Sequence, residues 1–272
     1  MKKFFHSILI ALIFFNLPVI SFPKEDFIYN LSNKQIDKII KLSRSLYPST
    51  NDSFILFTEK SLGVKYKGDP LGEGEYETYD KDPLYNFKEA DCVTFIEQCL
   101  ALSISKSFKD FLPNLNKIRY KNGKIGILTR NHYSLADWLP NNKWLVQDVT
   151  REIGKNYIKN TSRTIDKQKF FKDKGINVDI NKIICTTNYI PKDKIKKIKD
   201  KLSSGLIIFH VGDIPGIIVL HWGVLIKDQK SDKLFIRHAS SIQSKVVDEE
   251  FITYLEKYKF IKGLKFIKIN NI

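Results

Sequence analysis

Cys92, His221 and His238 are the side chains whose types and positions could share one reaction. A thiol attacks an acyl carbon once a base takes its proton. An imidazole takes that proton, and a second polar group fixes the tautomer of the first. Cys92 lies in Ala90-Asp91-Cys92-Val93-Thr94-Phe95-Ile96-Glu97, where a loop rich in Gly, Pro and Asp gives way to an apolar helical pattern. The first turn of a helix offers free N–H groups and the positive end of the macrodipole, which predicts a thiolate-favouring site. The histidines fall on two predicted strands, Gly216 to Lys227 and Lys233 to His238, joined by the polar stretch Lys227 to Lys233. The midpoint of 221 and 238 lies between Gln229 and Lys230. A hairpin turning there sets the two rings opposite each other, about 4.5–5.5 Å apart at Cβ, give or take one register step. Taken singly, a helical Cys or a strand His is more often a core residue; the three together favour catalysis. A rival reading has the same three residues bind zinc, but short ligand spacings such as Cys-x-x-Cys are missing. His210 and His132 are weaker candidates, and His6 lies in the leader.

The elements that must hold these groups follow from periodicity. Asn33 to Tyr47 is amphipathic, and Asn51-Asp52-Ser53 is positioned to cap a second helix through Leu62. Gly63 to Lys88 is a long loop with Gly68, Pro70, Gly72, Gly74 and Pro83; it leads into Cys92 and suits a wall of the site. The Cys92 helix extends to about Ser103, a packed element follows over Phe108 to Ile118 despite Pro113, and a strand is expected over Lys124 to Leu128. Asn131 to Trp138, dense in aromatic and polar groups, suits a substrate-facing insertion or a packed connection equally. Lys192 to Lys201, after Pro191, reads as a solvated helix of mixed sign. Strands are predicted from Gly205 to Val211 and Leu264 to Ile269, with a helix capped by Asp248 through Tyr258. Helices first and a largely antiparallel sheet afterwards is an α+β order.

Composition adds bounds. A 272-residue chain with 43% hydrophobic content can build its own core. The net charge of +15 is dispersed, which argues against a nucleic-acid groove. Lys2 and Lys3 precede an apolar stretch from Ile8 to Ile20 and the small residue Ser21, the pattern of a secretory signal peptide over 1–21. The stretch is interrupted by Asn16 and Pro18 and is shorter than the ~20 residues of a membrane span. The remaining 22–272 is expected to be one domain, periplasmic or secreted, with no transmembrane span after leader removal. In an oxidising compartment an odd cysteine count leaves a free thiol. Cys99 shares a helix face with Cys92 and reads as a small buried hydrophobe. Cys185 could pair with it, but two inert thiols and one reactive one is the preferred assignment.

Asp91-Cys92, Leu220-His221-Trp222-Gly223-Val224 and Phe235-Ile236-Arg237-His238-Ala239-Ser240 resemble the Asp-Cys, His-x-Gly and His-Ala-Ser blocks of the NlpC type of papain-like cell-wall hydrolases. Leu62-Gly63-Val64-Lys65-Tyr66, Asp91 to Glu97, and His132 to Trp138 leading to Asp148-Val149-Thr150 are similar to its N-acetylmuramoyl-L-alanine amidase-like branch. The resemblance implies a papain-like domain with the nucleophile helix packed on the sheet. It implies Cys92 as nucleophile, His221 as base and His238 as its orienter, with the Cys92 N–H and the Tyr66 hydroxyl as oxyanion donors. It also implies substrate contacts from Tyr66, Asp91, His132, Asp137 and Trp138. Val93-Thr94 stands where the family often has Ser-Gly, which fits a cut at the sugar–peptide junction. The expectation is an exported, cofactor-free and metal-free cysteine amidase hydrolysing the MurNAc–L-Ala amide of peptidoglycan or muropeptides. The alternatives are a stem-peptide endopeptidase cutting after D-Glu on the same site, or a catalytically silent wall-binding protein.

Overall fold

The computed structural model describes residues 26–272, so the expected leader lies outside the described residues. Helix α1 (Asn33–Leu46) starts at a reciprocal capping box between Ser32 and Gln35 and buries Ile36, Ile39 and Ile40 along one face. Helix α2 (Thr50–Lys60) is capped by Ser49, whose hydroxyl accepts the Asp52 N–H at 3.1 Å, two residues before the expected cap. Two short parallel strands follow, β1 (Lys65–Tyr66) and β2 (Glu89–Ala90), and between them runs the long loop. Helix α3 (Cys92–Ile104) starts immediately after β2, and α4 (Phe108–Arg119) continues through Pro113.

Lys124 to Leu128 is not a strand. Gly123 and Gly126 take positive φ of 69° and 151°, and the N–H groups of Thr129 and Arg130 both return to the Gly126 carbonyl at 3.0 Å. These glycines close a turn that the apolar spacing of Ile125 and Ile127 does not announce. A π-helical turn at Ser134–Trp138 passes into α5 (Leu139–Asn141). Then come β3 (Val146–Asp148), α6 (Thr150–Gly154), β4 (Lys159–Ile165), α7 (Lys167–Asp173) and β5 (Ile183–Pro191). The lysine-rich Lys192–Lys201 segment is helical but 3-10, with Ile195 and Ile198 buried. Their spacing of three places both on one side of a three-residue turn.

The remaining chain is β6 (Ile207–Ile214), β7 (Ile217–Lys227), β8 (Leu234–Ser240), β9 (Lys245–Glu250), α8 (Phe251–Lys257) and β10 (Gly263–Ile269). Asp248 does not cap α8. It lies within β9 and takes a bidentate bond from Arg237 at 2.8 and 2.7 Å, while Glu250 caps the helix through the N–H of Thr253 at 2.7 Å. The described residues form a mixed α+β fold on one ten-stranded sheet, ordered β2-β1-β9-β8-β7-β6-β10-β5-β4 with β3 beside β10. Its strand pairs are antiparallel except β1 with β2.

Alternation along the central strands divides the core in two. Phe209, Trp222, Val224 and Ala239 join the buried residues of α1 to α4 in one cluster. Ile208, Leu225, Ile236 and Phe266 join Phe251 and Leu255 of α8 in the other. Burying an aromatic or branched aliphatic side chain contributes roughly 1.5–3 kcal/mol, so buried Phe95, Ile96, Leu100 and Leu102 hold α3 firmly. The start of α3, and with it Cys92, is fixed relative to β7.

Candidate active site

Asp91 sets the start of α3. Its Oδ1 accepts the N–H of Val93 at 2.9 Å, the N–H of Thr94 at 2.7 Å and the Thr94 hydroxyl at 2.9 Å, while Thr94 Oγ1 accepts the Asp91 N–H at 3.0 Å. The cap leaves the Cys92 N–H out of its own bonding. The Cys92 sulfur faces backbone N–H groups of Trp222, Cys92 and Val93, which favour thiolate. Burial and the adjacent Asp91 carboxylate outweigh them and push the thiol up to about 12. This reverses the expectation from the helix dipole. Burial is the larger cause, and the capping anion at the positive end of the helix adds to it, so the residue that builds the N-terminus also opposes ionisation there.

The Trp222 N–H belongs to the peptide that follows His221, so the thiol abuts the strand carrying the candidate base. The hairpin ladder pairs Lys227 with Leu234 and Val224 with Arg237, which centres the turn between Lys230 and Ser231, one residue later than expected. Continued by one pair, it sets His238 opposite Gly223. The two-residue offset keeps both imidazoles on the same face and makes them diagonal neighbours. Gly223, opposite His238, has no room for a side chain: a Cβ there would lie 2.6 Å from Ile236 side-chain atoms. His221 Nε2 and His238 Nδ1 are 2.7 Å apart, with ring centroids at 4.9 Å and planes at 89°.

Three further groups enclose the pair. Glu249 Oε1 lies 3.0 Å from His238 Nε2. Tyr254 packs edge-on to His238 at 5.1 Å, and its hydroxyl is 3.5 Å from His210 Nδ1. His210, paired with His221 across β6 and β7, stacks on it at 5.2 Å. Burial, reinforced by the neighbouring imidazoles His210 and His238, holds His221 well below its ordinary 6.5. Burial alone would lower His238 further, but Glu249 opposes it. Cys92 and His221 are half-buried, whereas His238 is 3% exposed, so the outer two groups are reachable and the inner one is closed off. A thiol kept protonated beside a neutral imidazole can perform general-base-assisted attack without a preformed ion pair.

The other expected site residues divide. Tyr66 is half-buried, and its phenol is raised by burial and by the charges of Cys92 and Asp91, which locates it beside both. Asp91 is also at the site, with Oδ1 engaged in the cap. Trp138 is fully buried and donates its indole N–H to Glu97 at 3.0 Å, so it anchors the core and cannot touch a substrate. His132 gives its Nε2 to the Ile127 carbonyl at 2.7 Å and packs against Phe170 and Phe171. Asp137 accepts the Tyr133 N–H at 3.1 Å and pairs with Lys167. The segment thus combines both roles expected of it: Trp138 is packed in the core, Ser134 accepts the Trp222 indole N–H at 3.0 Å, and half-buried His132, Tyr133, Ser134 and Leu135 line a cavity beside the start of β7.

The long loop is pinned. Arg130 joins Asp69 at 3.6 Å and Glu73 at 2.6 Å, and Tyr120 donates to the Gly72 carbonyl at 2.9 Å. All three cysteines are free; Cys99 is buried on α3, and Cys185 lines a cavity of about 180 Å³ together with His132 and Phe170. The sequence reading missed Glu249 and Tyr254. Glu249 is diagonal to His238 across β8 and β9, where Ile236 pairs with Glu249. Only an assignment of Lys245 to Glu250 as a strand would have found it.

Residues 56–264 match the family described as AmiA-like, N-acetylmuramoyl-L-alanine amidase-like. Among solved structures, a protein of Legionella pneumophila str. Philadelphia 1 shares the fold at 24% identity, over 87% of this chain and 94% of that one, with a TM-score of 0.78. A structure named N-acetylmuramoyl-L-alanine amidase, from Bacteroides uniformis, is 26% identical over 82% of this chain and 99% of its own, with a TM-score of 0.68. No curated protein matches the sequence.

Proposed function

The chain belongs to the AmiA-like, N-acetylmuramoyl-L-alanine amidase-like family, and we propose that it is an exported cysteine amidase of NlpC-type, papain-like mechanism. Its substrate is the amide between the MurNAc lactyl group and L-Ala in peptidoglycan or its fragments. Cys92 is the nucleophile, His221 the base and His238 the group that orients it. The observation that carries the reading is the meeting of the Cys92 sulfur with the His221–Trp222 peptide, beside an imidazole pair bonded at 2.7 Å.

In the first step the thiol proton passes to His221 as the sulfur attacks the lactyl carbonyl. The oxyanion is received by the Cys92 N–H, with the Tyr66 hydroxyl as second donor. His221 then gives the proton to the departing nitrogen, releasing a peptide with L-Ala at its N-terminus and leaving a thioester. Water, deprotonated by His221, hydrolyses the thioester and frees the sugar carboxylate and the thiol. The leader over 1–21 would deliver the enzyme to the periplasm or the exterior.

Digestion of purified muropeptides tests this. The expected products are free MurNAc-type sugar and an intact peptide beginning with L-Ala, both lost with Cys92→Ala. Shortened peptides would favour cleavage within the stem, and full activity in Cys92→Ala would sink the cysteine mechanism.

A further inference from the structure

We infer that Glu249 is a positioning residue of this site, fixing through His238 the tautomer in which His221 can accept the thiol proton. The inference rests on the reading of Cys92 and His221 as nucleophile and base. Its geometric ground is a continuous line of bonds: Glu249 Oε1 to His238 Nε2 at 3.0 Å, and His238 Nδ1 to His221 Nε2 at 2.7 Å.

The tautomers follow from donor and acceptor counting. An ionised carboxylate only accepts, so His238 must carry its proton on Nε2. The Nδ1 of His238 is then a lone pair and can only accept from His221. His221 must therefore carry its proton on Nε2, which leaves its Nδ1 lone pair as the ring's one basic position. With the opposite tautomers, His221 would hold a proton on Nδ1 and could take none from Cys92. Glu249 selects between the two states from one residue behind the pair, without touching any reacting atom.

Charge acts in the same direction. When His221 takes the thiol proton, the cation is shared along the line, and Glu249 is the anion that terminates it. The other titratable groups facing the three residues are His210 on β6, Tyr254 and Lys257 on α8, Asp248 on β9 and Cys92 on α3. His210 is fully buried and held near 3, so it stays neutral, and Tyr254 is raised and stays protonated. Asp248 is engaged by Arg237, and Lys257 approaches the far oxygen of Glu249 at 4.0 Å. Glu249 is the carboxylate in direct contact with the imidazole pair.

The test compares Glu249→Leu, which removes acceptor and charge, with Glu249→Gln, which can keep the acceptor but loses the charge. Imidazole nitrogen shifts at neutral pH report the tautomers directly and need no turnover. Wild type should hold both histidines as Nε2–H, and Glu249→Leu should move His221 toward Nδ1–H. With muropeptide substrate, Glu249→Leu should lower kcat by roughly 10–100-fold with KM little changed, the range found for carboxylates that orient histidines at metal sites. Glu249→Gln should fall between wild type and Glu249→Leu. Circular dichroism melting checks that each variant is folded. A folded Glu249→Leu with His221 still Nε2–H, or with unaltered kcat, overturns the inference. An inactive wild type with the expected tautomers would instead overturn the amidase reading alone.

Discussion

The protonation state of Cys92 separates two mechanisms, and alkylation reads it. With its thiol raised from the ordinary 9.0 to about 12, three further pH units stand between Cys92 and ionisation. At neutral pH its thiolate fraction is roughly a thousandfold below that of an unperturbed cysteine. Each thiolate is also more nucleophilic, because nucleophilicity rises with basicity at a slope of about 0.4–0.5, worth ~15–30-fold over that interval. The net expectation is alkylation by iodoacetamide some 30–60-fold slower than an exposed, unperturbed thiol, rising about tenfold per pH unit from pH 6 to 10 without a plateau. Peptide mapping assigns the label to Cys92, Cys99 or Cys185. Asp91→Asn supplies the internal control, since an amide can still accept the N–H bonds of the cap but carries no charge beside the sulfur. It should accelerate Cys92 alkylation at every pH in the range. A Cys92 rate that is already flat above pH 6–7 would refute the argument, because it would mean a thiolate–imidazolium pair at rest.

Two stability predictions concern how the site is held. Glu97 on α3 accepts from Arg119 at 2.9 Å and from Trp138 at 3.0 Å, with both charged side chains at most 4% exposed. Glu97→Ala strands a buried guanidinium and should cost about 3–5 kcal/mol by urea denaturation, whereas Glu97→Leu/Arg119→Leu should cost less than the two single changes added; a loss under 1 kcal/mol for Glu97→Ala would contradict the mooring role. His132 is held neutral by burial, from 6.5 down to about 4, despite its bond to Ile127. The unfolded chain therefore binds the extra proton first, so the contribution is whole above pH 6.5 and fades as pH falls toward 4, by about 3 kcal/mol at most at 1.36 kcal/mol per pH unit. His132→Phe should flatten unfolding free energy against pH in that window, and an unchanged slope would assign the acid sensitivity elsewhere.

How much was legible beforehand differs by element. The helices α1 and α3 follow from apolar spacing and polar caps, and β6, β7, β8 and β10 from apolar runs bounded by Gly or charged turns. The pairing of His221 with His238 survives a displaced turn because a two-residue offset preserves the face. What failed depended on longer-range structure. Lys245 to Glu250 is charged and short, and becomes a strand because β8 offers it a ladder and Arg237 offers Asp248 a bidentate partner. The stretch from Val146 to Pro191 alternates weakly and is ordered by pairing with β10 and by the β4–β5 hairpin. Trp138 reads as a substrate contact or a core anchor on sequence. Its burial against Glu97 decides for the core.

The same burial that raises the Cys92 thiol lowers His221, so the two groups are driven toward the one state in which both are uncharged. Under the proposed mechanism, the thiol in that state would react when an amide carbonyl arrives to draw the sulfur forward and the imidazole takes the proton in the same movement. Asp91 contributes twice, by starting the helix that positions the sulfur and by opposing its ionisation, so cap and chemistry cannot be altered separately by Asp91→Ala. Oxidation of cysteine proceeds through the thiolate, and a protonated, half-buried sulfur is protected from it. For an enzyme proposed to act outside the reducing cytosol, with three unpaired cysteines, a neutral resting site preserves the nucleophile between turnovers, and Glu249 keeps its base in the receptive tautomer.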